Sequence, residues 1–549
     1  MKHVARRRFL TSTGLAAGGL VLPRFAIGQA DDRPTITIAV QQVATSASLE
    51  TVREKSNVGE RVQMPIFENL IARNLKAQLA PIPGLAESWK RIDERTVELS
   101  LRKGVKFHNG DEMTSEDVVF TFGPERMFGE SYDNSSNKTL FTTVMARDSI
   151  EGKKLPAEVL GIAKRAWPSL EKVEAVDKYT VRFVNRVPDV TIEGRIGAPA
   201  SEIISKRGFM EAKTWIEWAR KPIATGPYKV REFKPDESLT LDAHDDYWGG
   251  RPPIKTIRFV VVPEVPSRIN GLLSGQYEFI CDVPPDQVAT IAQNPKFEVQ
   301  GGLITNHRLL VFDKHHPQFA DPRIRQAMTH AIDRQAIVDS LWAGRTRVPP
   351  GLQWEFYGPM FVEGWTVPEY DPKKAQALLK AANYKGEPIP FRVLNNYYTN
   401  QVATAQIEVE MWRAIGLNVE IQMRENWQQI FENDGKRALR DWSNSAPFND
   451  PISSLVGQHG PQGQQQQSKE WANDEMNKLS GLLETETDMQ KRKAMFKRML
   501  EICEREDPAY TVLHQNATFT GKRKDILWKT APAFAMDFRA QNFAIRKGA

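Results

Sequence analysis

Of the side chains able to make or break bonds, the nine histidines and two cysteines constrain the chemistry most. His315 and His316 are adjacent, so on a strand their rings face opposite ways and cannot hold one metal ion between them. His108 belongs to a turn, where a structural role suffices. Cys281 and Cys503 are too few for a thiolate metal site or a disulfide framework in a chain of this size. There is no HExxH for zinc, no GxSxG nucleophile elbow, no Walker loop, and no GxGxxG opening a helix after a strand. The sequence thus offers no catalytic residue and no metal ligand set. It offers instead rings placed among neutral hydroxyls and amides, in Asp441 to Pro451 (DWSNSAPFNDP), at Asn395, Tyr397 and Tyr398, and at Trp354 and Phe356. Rings that cover a ligand and a few polar groups that orient it serve non-covalent capture.

The elements that must position these residues alternate between strand and helix, which gives an α/β class. Thr35 to Val40 and Ile254 to Val262 read as strands, and Val58 to Ile71 and Val265 to Leu273 as helices. Asp321 to Gly344, Asp371 to Ala382 and Val402 to Ile415 are helical, the last followed by Gly416 and the strand Leu417 to Gln422. Leu101 to Phe122 (LRKGVKFHNGDEMTSEDVVFTF) follows a strand in which Val97, Leu99 and Leu101 alternate with polar residues. Asn109-Gly110-Asp111 reverses the chain, and Thr114 caps a helix with Glu116 and Asp117 on its first turn. Gly457 to Ser468 (GQHGPQGQQQQS) has no apolar residue and reads as a solvated loop.

Residues 1–30 read as a targeting segment. Arg6-Arg7-Arg8-Phe9-Leu10 fits the twin-arginine pattern, Leu10 to Leu22 is an apolar stretch too short to span a bilayer, and Gly28-Gln29-Ala30 offers small residues for cleavage. No cysteine lies near that point, so export without a lipid anchor is expected. The formal charge of +6 belongs to this segment: without Lys2, Arg6, Arg7, Arg8 and Arg24, 69 basic residues face 68 acidic ones. A nearly neutral chain with interspersed signs has no electrostatic footprint for nucleic acid.

Leu79-Ala80-Pro81, Gly84-Leu85-Ala86-Glu87-Ser88-Trp89, the run Leu101 to Phe122, Thr225-Gly226-Pro227-Tyr228, Asp246-Tyr247-Trp248, Asp321-Pro322-Arg323-Ile324-Arg325-Gln326-Ala327 and Ile415-Gly416-Leu417 follow in an order that resembles the large substrate-binding proteins of ABC importers, the dipeptide, oligopeptide and nickel binder group. The resemblance implies a two-lobed periplasmic binding protein (Venus flytrap) with an extra subdomain in the first lobe. It divides the chain into a twin-arginine signal peptide over 1–30, a first lobe over 31–310 with the subdomain at about 79–221, a second lobe over 311–512, and a return to the first lobe over 513–549. Crossings between the lobes fall near Asn306 to Asp313 and Ala509 to Gln515. Cys281 and Cys503 then lie in different lobes, as two buried free thiols.

The function implied is not enzymatic. A monomeric periplasmic receptor, without cofactor, captures a small-molecule or peptide ligand by hinge closure and delivers it to an inner-membrane ABC permease complex. A Tat-exported enzyme or cofactor protein is the rival class, and the missing motifs leave it without a site. Peptide-binding relatives place an aspartate for the ligand's ammonium three residues after a tryptophan, with an Asp-Pro step soon after. Trp442 and Asp450-Pro451 match, but the ammonium position is Ser445 counted from Trp442, or Pro447 counted back from Asp450. An ammonium buried without a carboxylate is costly, so a peptide with a free amine fits less well. Opine-like compounds, oligosaccharides and chelated metals are the other ligands the group implies. The candidate binding residues are Trp442, Ser443, Asn444, Ser445, Asn395, Tyr397, Tyr398, Trp354 and Phe356, with donors from the Gln41 to Ser48 loop on the opposite lobe.

Overall fold

The structure, a computed structural model, describes residues 31–123, 126–127, 157–395 and 397–546. The expected targeting segment lies outside the described residues. Pro34–Ala549 form one compact unit. Among the described residues a ten-stranded sheet runs through it. Its strands, in chain order, are β1 (Thr35–Val40), β2 (Tyr228–Lys234), β3 (Ser238–Ala243), β4 (Thr256–Val261), β5 (Phe279–Ile280), β6 (Phe297–Phe312), β7 (Ile389–Leu394), β8 (Val419–Arg424), β9 (Leu439–Ser445) and β10 (Tyr510–Arg523). Across the sheet they lie in the order β8-β7-β9-β6-β10-β5-β1-β4-β3-β2.

β6 and β10 are far longer than an ordinary strand, and each serves both halves of the molecule. Their pairing runs from Phe297 opposite Arg523 to Val311 opposite Tyr510, and it loses regular register between Leu303 and His307. On the Phe297 side of that break β10 pairs with β5, Phe279↔Lys522 and Ile280↔Gly521; after it, β6 pairs with β9 from Asn306↔Ser445 to Phe312↔Leu439. The segments 306–313 and 509–515 fall within or beside these strands. Beyond the break, alternate residues of β6 feed opposite cores: Leu309 and Val311 pack with Trp354, Leu455 and Tyr510, while Leu310 and Phe312 pack with Phe391, Trp412 and Leu513. The period of two thus places two separate apolar layers on the faces of one sheet.

A separate four-stranded antiparallel sheet has Ala86–Asp93, Thr96–Leu101, Thr180–Asn185 and Leu170–Asp177 in spatial order. Val97, Leu99 and Leu101 are buried as their alternation requires. Thr114 caps the helix Ser115–Thr121 through a capping box: Glu116 N donates to Thr114 Oγ1 at 3.3 Å and Thr114 N donates to Asp117 Oδ2 at 2.9 Å. Pieces far apart in sequence converge on Glu68, whose carboxylate accepts from Thr225 Oγ1 (2.9 Å), Tyr247 Oη (2.6 Å) and Trp248 Nε1 (2.9 Å). Gly226 sits where a Cβ would meet the Ile66 backbone at 2.5 Å, so no larger residue fits that turn.

Three sequence expectations need correction. Asp321 to Gly344 is not one helix but two, Pro322–His330 and Arg334–Trp342, because Asp333 stops the first and caps the second. The helix expected over Val58 to Ile71 is Asn57–Gln63 only, because Pro65 removes a helical donor and Ile71 starts a strand. Gly457 to Ser468 is not a solvated loop: it lies across the helices Leu455–His459 and Gln464–Gln467, with His459 and Gln465 fully buried. Both cysteines are buried and free, Cys281 against Met536 and Cys503 against Met476.

Candidate functional site

β9 holds the richest of the expected segments, and as a strand it sends successive side chains to opposite faces. On one face are Asp441, Ser443 and Ser445. Asp441 is nearly fully buried and is paired with the Arg308 guanidinium of β6, also buried. Gln401 Nε2 donates to the same carboxylate at 2.8 Å, and the Arg308 guanidinium lies 3.6 Å from the Tyr398 ring centroid. Ser443 Oγ accepts from Tyr398 Oη (3.1 Å), from Asn306 Nδ2 (3.3 Å) and from Asn57 Nδ2 (3.3 Å). Ser445 Oγ accepts from Asn306 Nδ2 at 2.7 Å. Asn57 opens the helix Asn57–Gln63, and its backbone amide also donates to Tyr397 Oη at 3.1 Å. A hydroxyl and amide network therefore joins Asn57 and Asn306 to Tyr397, Tyr398, Ser443 and Ser445.

On the other face of β9 stand Trp442 and Asn444. The Trp442 ring is half-buried, edge-on to Trp427 (5.0 Å) and Phe431 (5.5 Å), with the Arg440 guanidinium 4.5 Å above it. Its Nε1 donates to Gln458 Oε1 at 3.3 Å. Asn444 Nδ2 donates to Ser454 O at 3.3 Å. Opposite Asn444 in the β6–β9 ladder is His307, stacked on Trp354 at 3.7 Å and 14°, and Trp354 is stacked in turn on Phe356 at 5.5 Å and 19°.

The nine expected residues thus divide. Tyr397, Tyr398, Ser443 and Ser445 come together on one face; Trp442, Asn444, Trp354 and Phe356 share the other. Asn395 is exposed beyond the end of β7 and makes no side-chain hydrogen bond among the described residues. In the Gln41 to Ser48 segment, the donors Thr45 N (2.8 Å), Ser46 N (2.9 Å) and Ser46 Oγ (2.7 Å) are already engaged by Glu54 Oε2, and Gln41 Oε1 accepts from Arg61 Nη1. The two acidic residues flanking Ser445 are engaged as well. Asp441 is held by Arg308, and Asp450 caps Ile452 N at 3.0 Å and pairs with Arg492 at 2.9 Å. Sequence reasoning missed Arg308 and His307: nothing near Arg308 signals the carboxylate 133 residues away, and nothing near His307 signals its stack on Trp354.

A family model for bacterial extracellular solute-binding proteins, family 5, matches residues 80–466. The chain belongs to that family. This family-5 protein is 25% identical over 486 residues to the dipeptide-binding protein of Escherichia coli strain K12, covering 84% of this chain and 86% of that one. Its fold is similar to that of the dipeptide binding protein from Pseudoalteromonas sp. SM9913 in complex with Met-Leu, with a TM-score of 0.79, 20% identity and coverage of 93% of this chain and 100% of the other. It is also similar to MoaA from Agrobacterium (A.tumefacien R10) in complex with mannopinic acid, with a TM-score of 0.76, 19% identity and coverage of 94% and 100%. The two-lobed α/β architecture expected from the sequence is that of these structures. No helix among the described residues is long and apolar enough to cross a membrane.

Titratable groups also gather around Lys55. Lys55 is exposed, yet the protein around it displaces enough water to push its ammonium down to about 8, with Glu202 opposing. Glu60, Arg73 and Arg165 complete this cluster, and Arg73 Nη1 reaches Pro447 O of the loop after β9 at 2.9 Å. Beside Ser443, burial pushes the Tyr398 hydroxyl up to about 12, so it stays a donor to Ser443 at any working pH.

Burial also holds the imidazoles of His459 and His514 at about 3 and that of His307 well below its ordinary range. Each stays neutral in the folded protein while the unfolded chain takes up a proton below about pH 6.5. For His459 and His514 folding stability therefore falls as pH falls from 6.5 toward 3, by about 1.4 kcal/mol per pH unit for each, and His307 acts in the same direction. Urea unfolding at pH 7, 6 and 5 checks this, and His459→Gln lowers the slope by one histidine's share. A profile unchanged by that substitution contradicts it.

Proposed function

We propose that this protein is a periplasmic receptor that captures a small peptide-like solute between its lobes and delivers it to an inner-membrane ABC permease complex. Family membership supports the receptor role, and the long shared strands β6 and β10 supply a hinge of the kind that periplasmic binding proteins use. In this reading the first lobe is residues 31–310 with a subdomain at about 79–221, the second is 311–512, and 513–549 return to the first. Export uses a twin-arginine signal peptide over 1–30, no lipid anchors the product, and it works as a monomer without making or breaking bonds. Solute shifts the lobes toward closure only through contacts it makes better in the closed form.

For the solute itself, the commitment of Asp441 to Arg308 carries the reading. Ser445 stands where an ammonium would need a carboxylate, and neither flanking aspartate is free to replace it. Glu60 and Glu202 share their recess with Lys55, Arg73 and Arg165, so its balance favours an anionic group over a cationic one. The solute is therefore peptide-like with a blocked amine and a carboxylate, the carboxylate facing Lys55. Titration calorimetry with Ala-Gln and N-acetyl-Ala-Gln tests this. The acetylated form binds at least about tenfold more tightly, because an unpaired buried ammonium costs more than 1.4 kcal/mol; equal or tighter binding of Ala-Gln overturns the assignment of the amine.

A further inference from the structure

We infer that Gln401 is the positioning residue of the tyrosine pair: its single carboxamide sets the backbone of both Tyr397 and Tyr398 and ties them to the Asp441–Arg308 pair. The inference rests on the receptor reading above only in taking the two tyrosines as part of the solute's site.

The turn before the helix Gln401–Ala414 lacks an ordinary cap. Asn400 holds the N-cap position in the left-handed conformation, φ 57°, and makes no side-chain cap. Its Nδ2 donates instead to Leu341 O at 2.7 Å. The next side chain turns back in its place: Gln401 Oε1 accepts from Tyr397 N and from Tyr398 N, each at 3.0 Å, while Nε2 donates to Asp441 Oδ2 at 2.8 Å. Among the described residues, no other side chain hydrogen-bonds the backbone of both tyrosines.

The rings themselves are fixed further out. Tyr398 Oη donates to Ser443 Oγ at 3.1 Å, and the Arg308 guanidinium covers the ring at 3.6 Å. Tyr397 Oη accepts from Asn57 N at 3.1 Å, and its ring stands edge-on to Tyr398 (4.6 Å) and to Trp427 (4.8 Å). Both tyrosines are half-buried and keep open surface, whereas Gln401, Asp441 and Arg308 beneath them are buried. The holding groups are therefore separate from the surface a solute would meet.

The three bonds define the side chain. Two donors need two acceptor lone pairs on one oxygen, and Asp441 needs a donor on the same planar group, which a carboxamide supplies. A carboxylate keeps the acceptors but opposes Asp441, with Glu408 as a further buried acid close by. An aliphatic side chain loses all three bonds. Because Arg308 anchors Asp441, the β6–β9 ladder fixes the tyrosine backbone through Gln401, and a site ordered in advance binds more tightly than one ordered by its ligand.

The test follows amide hydrogen exchange by mass spectrometry over peptides containing Tyr397 and Tyr398, and calorimetric titration with N-acetyl-Ala-Gln, in wild type, Gln401→Leu and Gln401→Glu. Urea unfolding reports the global stability of each. In Gln401→Leu the two amides exchange at least about fivefold faster, and the probe binds at least about tenfold more weakly. Gln401→Glu keeps the acceptor, so its tyrosine amides stay near the wild-type rate although the added acid beside Asp441 costs it global stability. Protection that follows the acceptor rather than global stability separates positioning from a general structural role. Unchanged exchange in Gln401→Leu overturns the inference, as do amides in Gln401→Glu that exchange as fast as those in Gln401→Leu. Wild-type affinity for the probe in Gln401→Leu overturns it too. A wild-type protein that does not bind the probe contradicts the solute reading alone, and the exchange rates then decide whether Gln401 sets the tyrosines.

Discussion

Trp442→Ala lowers the affinity for N-acetyl-Ala-Gln by about a hundredfold, roughly 2.7 kcal/mol, while the protein still unfolds cooperatively. The size follows from what the ring does. It is half-buried, its edge is fixed by Trp427 and Phe431, and the Arg440 guanidinium covers it on one side. A large ring held rigid from behind loses little entropy when a ligand packs on it, which is why Trp so often dominates binding energy. Alanine removes that surface and leaves Gln458 without its donor, yet the Leu309, Leu455 and Tyr510 core beneath stays intact. Calorimetric titration of wild type and variant decides the matter: unchanged affinity removes Trp442 from the site.

Arg308→Met destabilises the fold by about 3–5 kcal/mol, because it leaves the Asp441 carboxylate buried with only Gln401 as a hydrogen-bond donor. The deficit shrinks on acidification. Burial raises the Asp441 carboxyl, and once the opposing Arg308 charge is gone it takes up a proton at a pH where the unfolded carboxyl is still ionised. The cost is therefore fully present above the raised folded value and relieved below it. The double variant Arg308→Met, Asp441→Leu recovers most of the loss, since an apolar pair of similar volume carries no desolvation penalty. Urea unfolding at pH 7 and pH 5 separates these outcomes; a single variant as stable as wild type shows that Asp441 is not held by Arg308.

Much of the fold was legible where local rules agree. The alternation of Val97, Leu99 and Leu101, the Thr114 cap and the helix Val265–Leu273, ended by Ser274 and Gly275, all follow from neighbouring residues. The lobes were not legible this way, because β6 and β10 are joined by pairings between residues about two hundred positions apart, and only the family resemblance suggested such crossings. The Gln-rich segment misled because composition favours solvent while tertiary packing buries His459 against Tyr510. Within the site, DWSNS already contained its two faces, since a strand must separate Trp442 and Asn444 from Ser443 and Ser445. The partners on those faces were hidden: nothing near Asp441 announces Arg308, and nothing near Asn444 announces His307.

The two thiols have a practical consequence. Cys281 and Cys503 are packed against methionine sulfur inside separate cores, and burial raises the Cys281 thiol to about 11, so neither offers a thiolate to an alkylating reagent. The native protein is thus chemically silent toward maleimide dyes. A cysteine pair introduced at the exposed positions Ile92 and Leu482 would be the sole labelling sites, and energy transfer between the two dyes would test the proposed hinge as a molecular ruler without removing a single native residue from either core.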